Sequence, residues 1–285
     1  MKPCYINLAC GSVFLENSNW INFDYASSSK AVKKVNLLKR LPLEKETADL
    51  VYSSHFLEHI PYSQVFNFLS ENFRILKLDG VLRLVLPDLE NMASNYINFR
   101  KIEDHKKADF LVTEMIDQCV RNIGGGQLQV FYSKIKKDQD QTMIEFIRRR
   151  MGEDLTIYSS QQKHNYNFFS KNFLSILNAI VRRIERYWIK IVILVLPSAF
   201  RDQNISLAGI GERHHWIWDF YSLKKVLEAV GFADIKRVSA NHSSIKNFPF
   251  YPLDIDNEGK PRKGEESMYI EAKKIKYEIN QNHNQ

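Results

Sequence analysis

Apolar and polar positions along this chain follow two periods. Short β-branched or apolar runs, bounded by glycine, proline, aspartate or asparagine, predict strands at Cys4–Leu8, Ile21–Phe23, Lys34–Leu37, Asp49–Tyr52, Val81–Leu86, Ala233–Val238 and Met268–Ala272. Between the fourth and fifth, Val65, Phe66, Leu69, Phe73 and Leu76 recur at helical spacing. They predict a helix over Tyr62–Leu76, after which Asp79-Gly80 turns the chain. A second helix is expected over Leu223–Val230, with Leu223, Val226, Leu227 and Val230 on one face, ending at Gly231. Glycine there takes a left-handed cap cheaply. Strand–helix alternation with short links predicts an α/β protein with a doubly wound, mostly parallel sheet.

Residues 94–210 break that rhythm. They read as mostly helical, interrupted by Gly124-Gly125-Gly126. Phe169, Phe173, Leu177, Ile180, Ile184, Tyr187 and Ile191 recur every three or four positions, opposite Lys171, Asn178, Arg182, Glu185 and Arg186, and the pattern runs on to Leu196 before Pro197. This predicts a long amphipathic helix with a basic polar face. One reading is a lid that covers the core or a second subunit; the other is a helix lying in a membrane interface through residues 169–196. The expected organisation is 1–93 and 211–275 as the two parts of one α/β domain, 94–210 as a helical insertion or lid, and 276–285 as a polar tail.

Charge sharpens this division. The formal net charge is +7, and residues 94–210 hold 18 basic against 12 acidic side chains, so nearly all the surplus sits in the insertion. A hydrophobic content of 44% excludes wholesale disorder. No apolar run approaches the length of a membrane span or follows a basic N-terminus as a secretory signal would. Cys4, Cys10 and Cys119 are odd in number and lack paired spacing, which reads as reduced thiols in a cytoplasmic protein.

The candidate chemistry lies in the first ninety residues. Tyr5-Ile6-Asn7-Leu8 runs into Ala9-Cys10-Gly11-Ser12; Trp20-Ile21-Asn22-Phe23-Asp24 follows at about one loop and helix. A strand, a tight small-residue turn and a second strand ending in a lone carboxylate suit an adenosyl group, because the turn lets the main chain approach and the carboxylate accepts from the ribose hydroxyls. No full G-x-G-x-x-G is present, which argues against a dinucleotide. Leu41-Pro42, the segment Ala48–Ile60 and Pro87-Asp88-Leu89-Glu90 continue the series, and His215-Trp216-Ile217-Trp218-Asp219 and Ser267–Ala272 resume it.

Together, in this order, these residues resemble the class I S-adenosylmethionine-dependent methyltransferases with a Rossmann-like fold, in their small bacterial type-11-like branch. The resemblance runs continuously from Ile6 to about Asn91 and resumes at about Arg213. It implies a seven-stranded sheet whose seventh strand is inserted antiparallel. For S-adenosylmethionine it implies Asn7, Ala9, Cys10, Gly11, Asp24, Tyr25, Asn36, Leu37, Ser53 and Ser54 as cofactor-binding residues. Ala9 stands where the family usually has glycine, and Asn36 where it often has an aspartate facing the adenine amino group; asparagine still accepts through its carbonyl oxygen.

Methyl transfer to a hydroxyl benefits from a base, and His55, His59 and His215 are the catalytic candidates. His55-Phe56-Leu57-Glu58-His59 also fits the H-x-x-E-H zinc-peptidase pattern, but Pro61 denies it the helix that pattern needs. Some class I methyltransferases bind a divalent ion through Glu-x-x-Glu-His here; the resemblance leaves open a metal at His55, Glu58 and His59, with no metal expected. No Asn-Pro-Pro-Tyr-type sequence points to a base nitrogen of nucleic acid. By analogy with the branch, the expected function is O-methylation of a sugar or small-molecule hydroxyl in surface-polysaccharide or secondary-metabolite synthesis. The alternatives are a catalytically degenerate cofactor-binding scaffold docked through the basic insertion, and a nucleic-acid methyltransferase suggested by Lys134-Ile135-Lys136-Lys137 and Arg148-Arg149-Arg150.

Overall fold

Alternating side chains on short extended runs bury one set on each face of a sheet, and this chain does so seven times. The computed structural model describes residues 2–26, 29–152, 155, 173–206, 208 and 211–276. Its strands are β1 (Tyr5–Leu8), β2 (Trp20–Asp24), β3 (Val32–Lys34), β4 (Ala48–Ser54), β5 (Leu76–Pro87), β6 (Phe232–Val238) and β7 (Ser267–Lys274). They form one sheet in the order β3-β2-β1-β4-β5-β7-β6. β1 to β5 pair in parallel, and β7 lies antiparallel between β5 and β6. The seventh strand is therefore the reversed one, as the resemblance implied.

Ile6, Leu8, Val51, Leu82, Leu84 and Ile270 project into one core, under α1 (Tyr62–Ile75) and α8 (Phe220–Val230). The opposite parity, Leu50, Tyr52, Val85 and Tyr269, builds a second core with Trp20, Phe248 and Leu253. That face is covered by the stretch between β1 and β2 and by residues 239–266, which include only the short α9 (Phe250–Leu253). The helix expected between β1 and β2 is absent: after β1 the chain crosses residues 9–19 in turns. Arg83, wholly buried, stitches this face together. Its guanidinium pairs with Asp254 at 2.7 Å and Glu271 at 2.7 Å, and Tyr52 Oη donates to Asp254 at 2.8 Å.

The insertion brings α2 (Leu89–Lys101), α3 (His105–Val120), α4 (Gly126–Lys137) and α5 (Gln141–Met151), with their own core of Phe110, Leu128, Ile135, Met143 and Ile147. Buried Arg150 on α5 donates to Glu114 on α3 at 2.7 Å and to Asn91 on α2 at 3.1 Å. Past its C-cap Gly152, α5 lies against the loop before β7: Glu265 and Glu266 donate main-chain N–H to the carbonyls of Arg149 and Arg150. A Cβ on Gly152 would sit 2.2 Å from the Arg262 oxygen, and one on Gly264 2.0 Å from that of Arg150. Only glycine permits so close an approach.

The amphipathic helix is α6 (Phe173–Val195), followed by α7 (Ser198–Asn204). Phe169 and Lys171 lie outside the described residues. Among its described side chains, Val181, Ile184, Trp188, Ile191 and Val195 recur along one side and are exposed, Val195 by 80%. No helix among the described residues is long and apolar enough to cross a membrane.

Two strand boundaries moved by three residues or more. β3 ends at Lys34 rather than Leu37, because Asn36 folds into a turn in which its Oδ1 accepts from Leu38 N at 3.0 Å. β5 starts at Leu76, running through Asp79-Gly80 with an irregular register opposite Ala48 and Leu50.

Candidate functional site

Short strands that stop together leave a crevice at their carboxyl ends, and in open α/β sheets ligands sit there. Beyond β1, Ala9 and Gly11 take φ of 54° and 55°, which folds the main chain into a tight turn. Asn7 Nδ2 steadies it by donating to the Val13 carbonyl at 3.2 Å. At the end of β2, Asp24 accepts from Gly11 N and Ala26 N, both at 2.9 Å, and so ties the two strand ends together. Burial and the Asp24 charge push the Cys10 thiol up to about 12, so it stays protonated.

Beyond β4, His55 also takes a positive φ, of 50°. Its ring is held between Ser267 Oγ, 2.9 Å from Nε2, and Glu58 Oε1, 3.4 Å from Nδ1. Burial, reinforced by Lys263, His214 and Arg262, lowers its pKa well below the usual histidine value. Glu58 sits in a single 3-10 turn (Leu57–His59), 1% exposed, and burial pushes its carboxyl up to about 8. Behind it, His59 Nδ1 bonds the Arg213 carbonyl at 2.9 Å, and the His214 ring meets the His59 ring edge-on at 4.8 Å. Burial lowers both, His214 to about 3, so both imidazoles are neutral at pH 7.

These ends enclose a cleft of about 550 Å³, counting its open mouth. Asn7, Ala9, Cys10 and Gly11 line one wall; Tyr52, Ser54 and His55 line another; Arg262 and Lys263 close it from the loop before β7. Six residues singled out in the sequence thus meet at one cleft. Asp24 stands beside it through Gly11, with Tyr25 exposed next in the chain. Ser53 is buried, Asn36 lies in its own turn, and Leu37 belongs to the core under α1. Of the three histidines, His55 lines the cleft. His59 stands behind Glu58, and His215 is exposed, its main-chain N–H on the Glu58 carbonyl at 2.7 Å. Arg262 and Lys263 escaped the sequence reading because they lie in a polar stretch with neither period nor motif. Tyr52 read only as a strand residue, and His214 lies one position before the quoted His215–Asp219 segment.

A family model for a methyltransferase domain matches residues 22–84. No curated protein matches the chain. Among solved structures, a SAM-dependent methyltransferase from Archaeoglobus fulgidus is 11% identical, covering 96% of this chain and 86% of that one, with a TM-score of 0.39. An S-adenosylmethionine-dependent methyltransferase from Mesorhizobium loti is 16% identical, covering 30% and 48%, with a TM-score of 0.25. The CurJ carbon methyltransferase is 9% identical, covering 96% and 49%, with a TM-score of 0.40. The matched part spans about half the length of each of the last two. The matched segment resembles a methyltransferase domain, and it runs from β2 into β5 of the seven-stranded sheet with its reversed β7.

Proposed function

We propose that the protein methylates a hydroxyl of a sugar or another polar small molecule, such as a step of surface-polysaccharide or secondary-metabolite synthesis requires. The observation that supports this reading is the cleft at the carboxyl ends of β1 and β4, with small residues on the cofactor wall and polar, cationic ones opposite. The residues present fit the cofactor: Ala9 and Gly11 leave the main chain bare, and the Asp24 carboxylate has lone pairs beyond its two main-chain partners. Asn7, Ala9, Cys10 and Gly11 would hold the amino-acid and ribose portions, and Asp24 would accept from the ribose hydroxyls. Tyr25, Asn36 and Leu37 would lie toward the adenine, with Ser53 and Ser54 toward the methyl group.

Bound S-adenosylmethionine supplies an electrophilic methyl on a sulfonium. The protein then has to align an oxygen with it, exclude water and take up a proton. His55 is the histidine placed to receive that proton, its ring oriented by Ser267 and Glu58. Arg262 and Lys263 suit an acceptor bearing negative charge or many hydroxyls.

Calorimetric titration of S-adenosylmethionine and S-adenosylhomocysteine into wild type, Asp24→Ala and Asp24→Asn tests this reading. Asp24→Ala should weaken both ligands by about 10–100-fold, the scale of hydrogen bonds to a charged acceptor, and Asp24→Asn by less. A folded wild type that binds neither would favour the degenerate scaffold.

We also infer that α6 lies on an anionic lipid surface. Its open apolar side and exposed Arg183 and Lys190 support this, as does the positive charge of the insertion.

A further inference from the structure

We propose that Arg262 and Lys263 form an oxyanion subsite, and that the methyl acceptor carries a carboxylate or phosphate beside the hydroxyl it presents to His55. The inference rests on the methyl-transfer reading for the role of His55. To that reading it adds the chemical class of the molecule that enters the cleft.

Adjacent positions of one loop bring two cations to the cleft, and none of the described residues lining it is acidic. The acids close by in the chain are turned elsewhere. Asp254, whose carbonyl accepts from Arg262 N at 2.8 Å, has its carboxylate engaged by Arg83 Nε and Tyr52 Oη, both at 2.8 Å. Glu265 is exposed and pairs with Arg149 at 3.3 Å, and buried Glu266 lies beside Glu114 and Arg150. Among the described residues, the Arg262 side chain makes one hydrogen bond, from Nε to the Leu253 carbonyl at 2.8 Å.

That bond anchors the guanidinium from behind and leaves Nη1 and Nη2 for a ligand. A half-buried cation with no carboxylate beside it favours an anion, because charge-assisted hydrogen bonds are about twice as strong as neutral ones. The planar fork matches two oxygens of a carboxylate or phosphate, and the ammonium of Lys263 adds a point charge. A neutral polyol would accept the same hydrogen bonds and leave the two charges uncompensated.

The place of the cations relative to the base assigns the anion to the acceptor. Ser267 Oγ donates to the Lys263 carbonyl at 3.1 Å and stands 2.9 Å from His55 Nε2. An oxyanion held by this loop therefore belongs to the molecule whose hydroxyl meets His55. Lys263 and Arg262 also help to keep the His55 ring neutral, so an anion bound between them relieves that field where a proton has to arrive. The loop is rigid enough to serve. The glycine contact fixes it against α5, and Gly264 N donates to the Pro261 carbonyl at 3.0 Å. A subsite ordered before binding loses less entropy when it is filled.

The test is calorimetric titration of the full-length protein saturated with S-adenosylhomocysteine, in a low-salt buffer free of phosphate. The probes form two pairs that differ in charge, D-glucuronate against D-glucose and glycerol phosphate against glycerol. In at least one pair the anion should bind about tenfold or more tightly than its neutral partner. Arg262→Gln should weaken that anion about tenfold and Lys263→Gln by a smaller factor, each leaving S-adenosylhomocysteine within about twofold of wild type. Should Arg262→Gln fail to fold, Lys263→Gln and the wild-type preference decide. Absence of an anion preference in both pairs would overturn the subsite, as would anion binding unchanged in the variants. Equal weakening of S-adenosylhomocysteine and the anion would give the cations to the cofactor's own carboxylate, and so overturn the assignment to the acceptor. A folded wild type that binds the anion through Arg262 but no S-adenosylhomocysteine would keep the subsite and remove the methyl-transfer reading.

Discussion

Ala9 pays for its position. At φ 54° its Cβ crowds the backbone, a strain of about 1 kcal/mol that glycine avoids. Such strain gathers at ligand sites, and His55 repeats it across the cleft. Ala9→Gly should raise unfolding stability by about 0.5–1 kcal/mol, part of the relief being offset by a freer unfolded chain. Urea denaturation measures it, and a loss of stability would mean that the Ala9 methyl contributes more by packing than it costs in strain. The β1–β2 wall of the cleft was legible because Asn7 to Gly11 and Asp24 are local features, each a strand end and a turn. Arg262, Lys263 and the Arg83 ion pairs were not, because a charged residue in a polar stretch, or one inside an apolar run, leaves no periodic trace. Asn36 illustrates a subtler miss: its side chain bonds its own backbone and ends a strand that its neighbours Val35 and Leu37 would otherwise extend.

Among the elements, strand existence was readable throughout, since each strand buries alternate residues against a core. The missing helix between β1 and β2 was not, because residues 9–19 cover the sheet with Val13 and Leu15 and no helical period. The α6 pattern was legible as a long helix, and the structure has one over Phe173–Val195, yet periodicity cannot say what meets its apolar residues. Among the described residues nothing covers Ile184, Trp188 or Val195. Vesicles containing anionic lipid should therefore co-sediment the protein at low salt and release it at high salt. Replacing Trp188 and Leu194 with serine should abolish the interaction, and replacing Arg183 and Lys190 with glutamine should weaken it by about 1 kcal/mol per charge. Equal sedimentation with neutral vesicles would refute the electrostatic part.

At the scale of the molecule, the seven-stranded order was implied by the resemblance rather than by pattern, and it is what sets Asp24, His55 and the loop before β7 around one cleft. Arg83 binds that arrangement from below, joining β5, β7 and residues 239–254 through Asp254 and Glu271. Arg83→Ala should cost about 3–5 kcal/mol in chemical denaturation, since it strands two buried carboxylates. Arg83→Met with Asp254→Asn and Glu271→Gln should recover part of it. The glycine contact between α5 and the loop carrying Arg262 and Lys263 has a consequence for how such a protein diversifies. No side chain fits between Gly152 and Gly264, so the two segments act as one mechanical part. A change of length or tilt in the insertion is thus transmitted to the wall that Arg262 and Lys263 close, while β1 and β2, at the far side of the cleft, stay put. The insertion is a dial for that wall, and the β1–β2 side need never be reset when it turns.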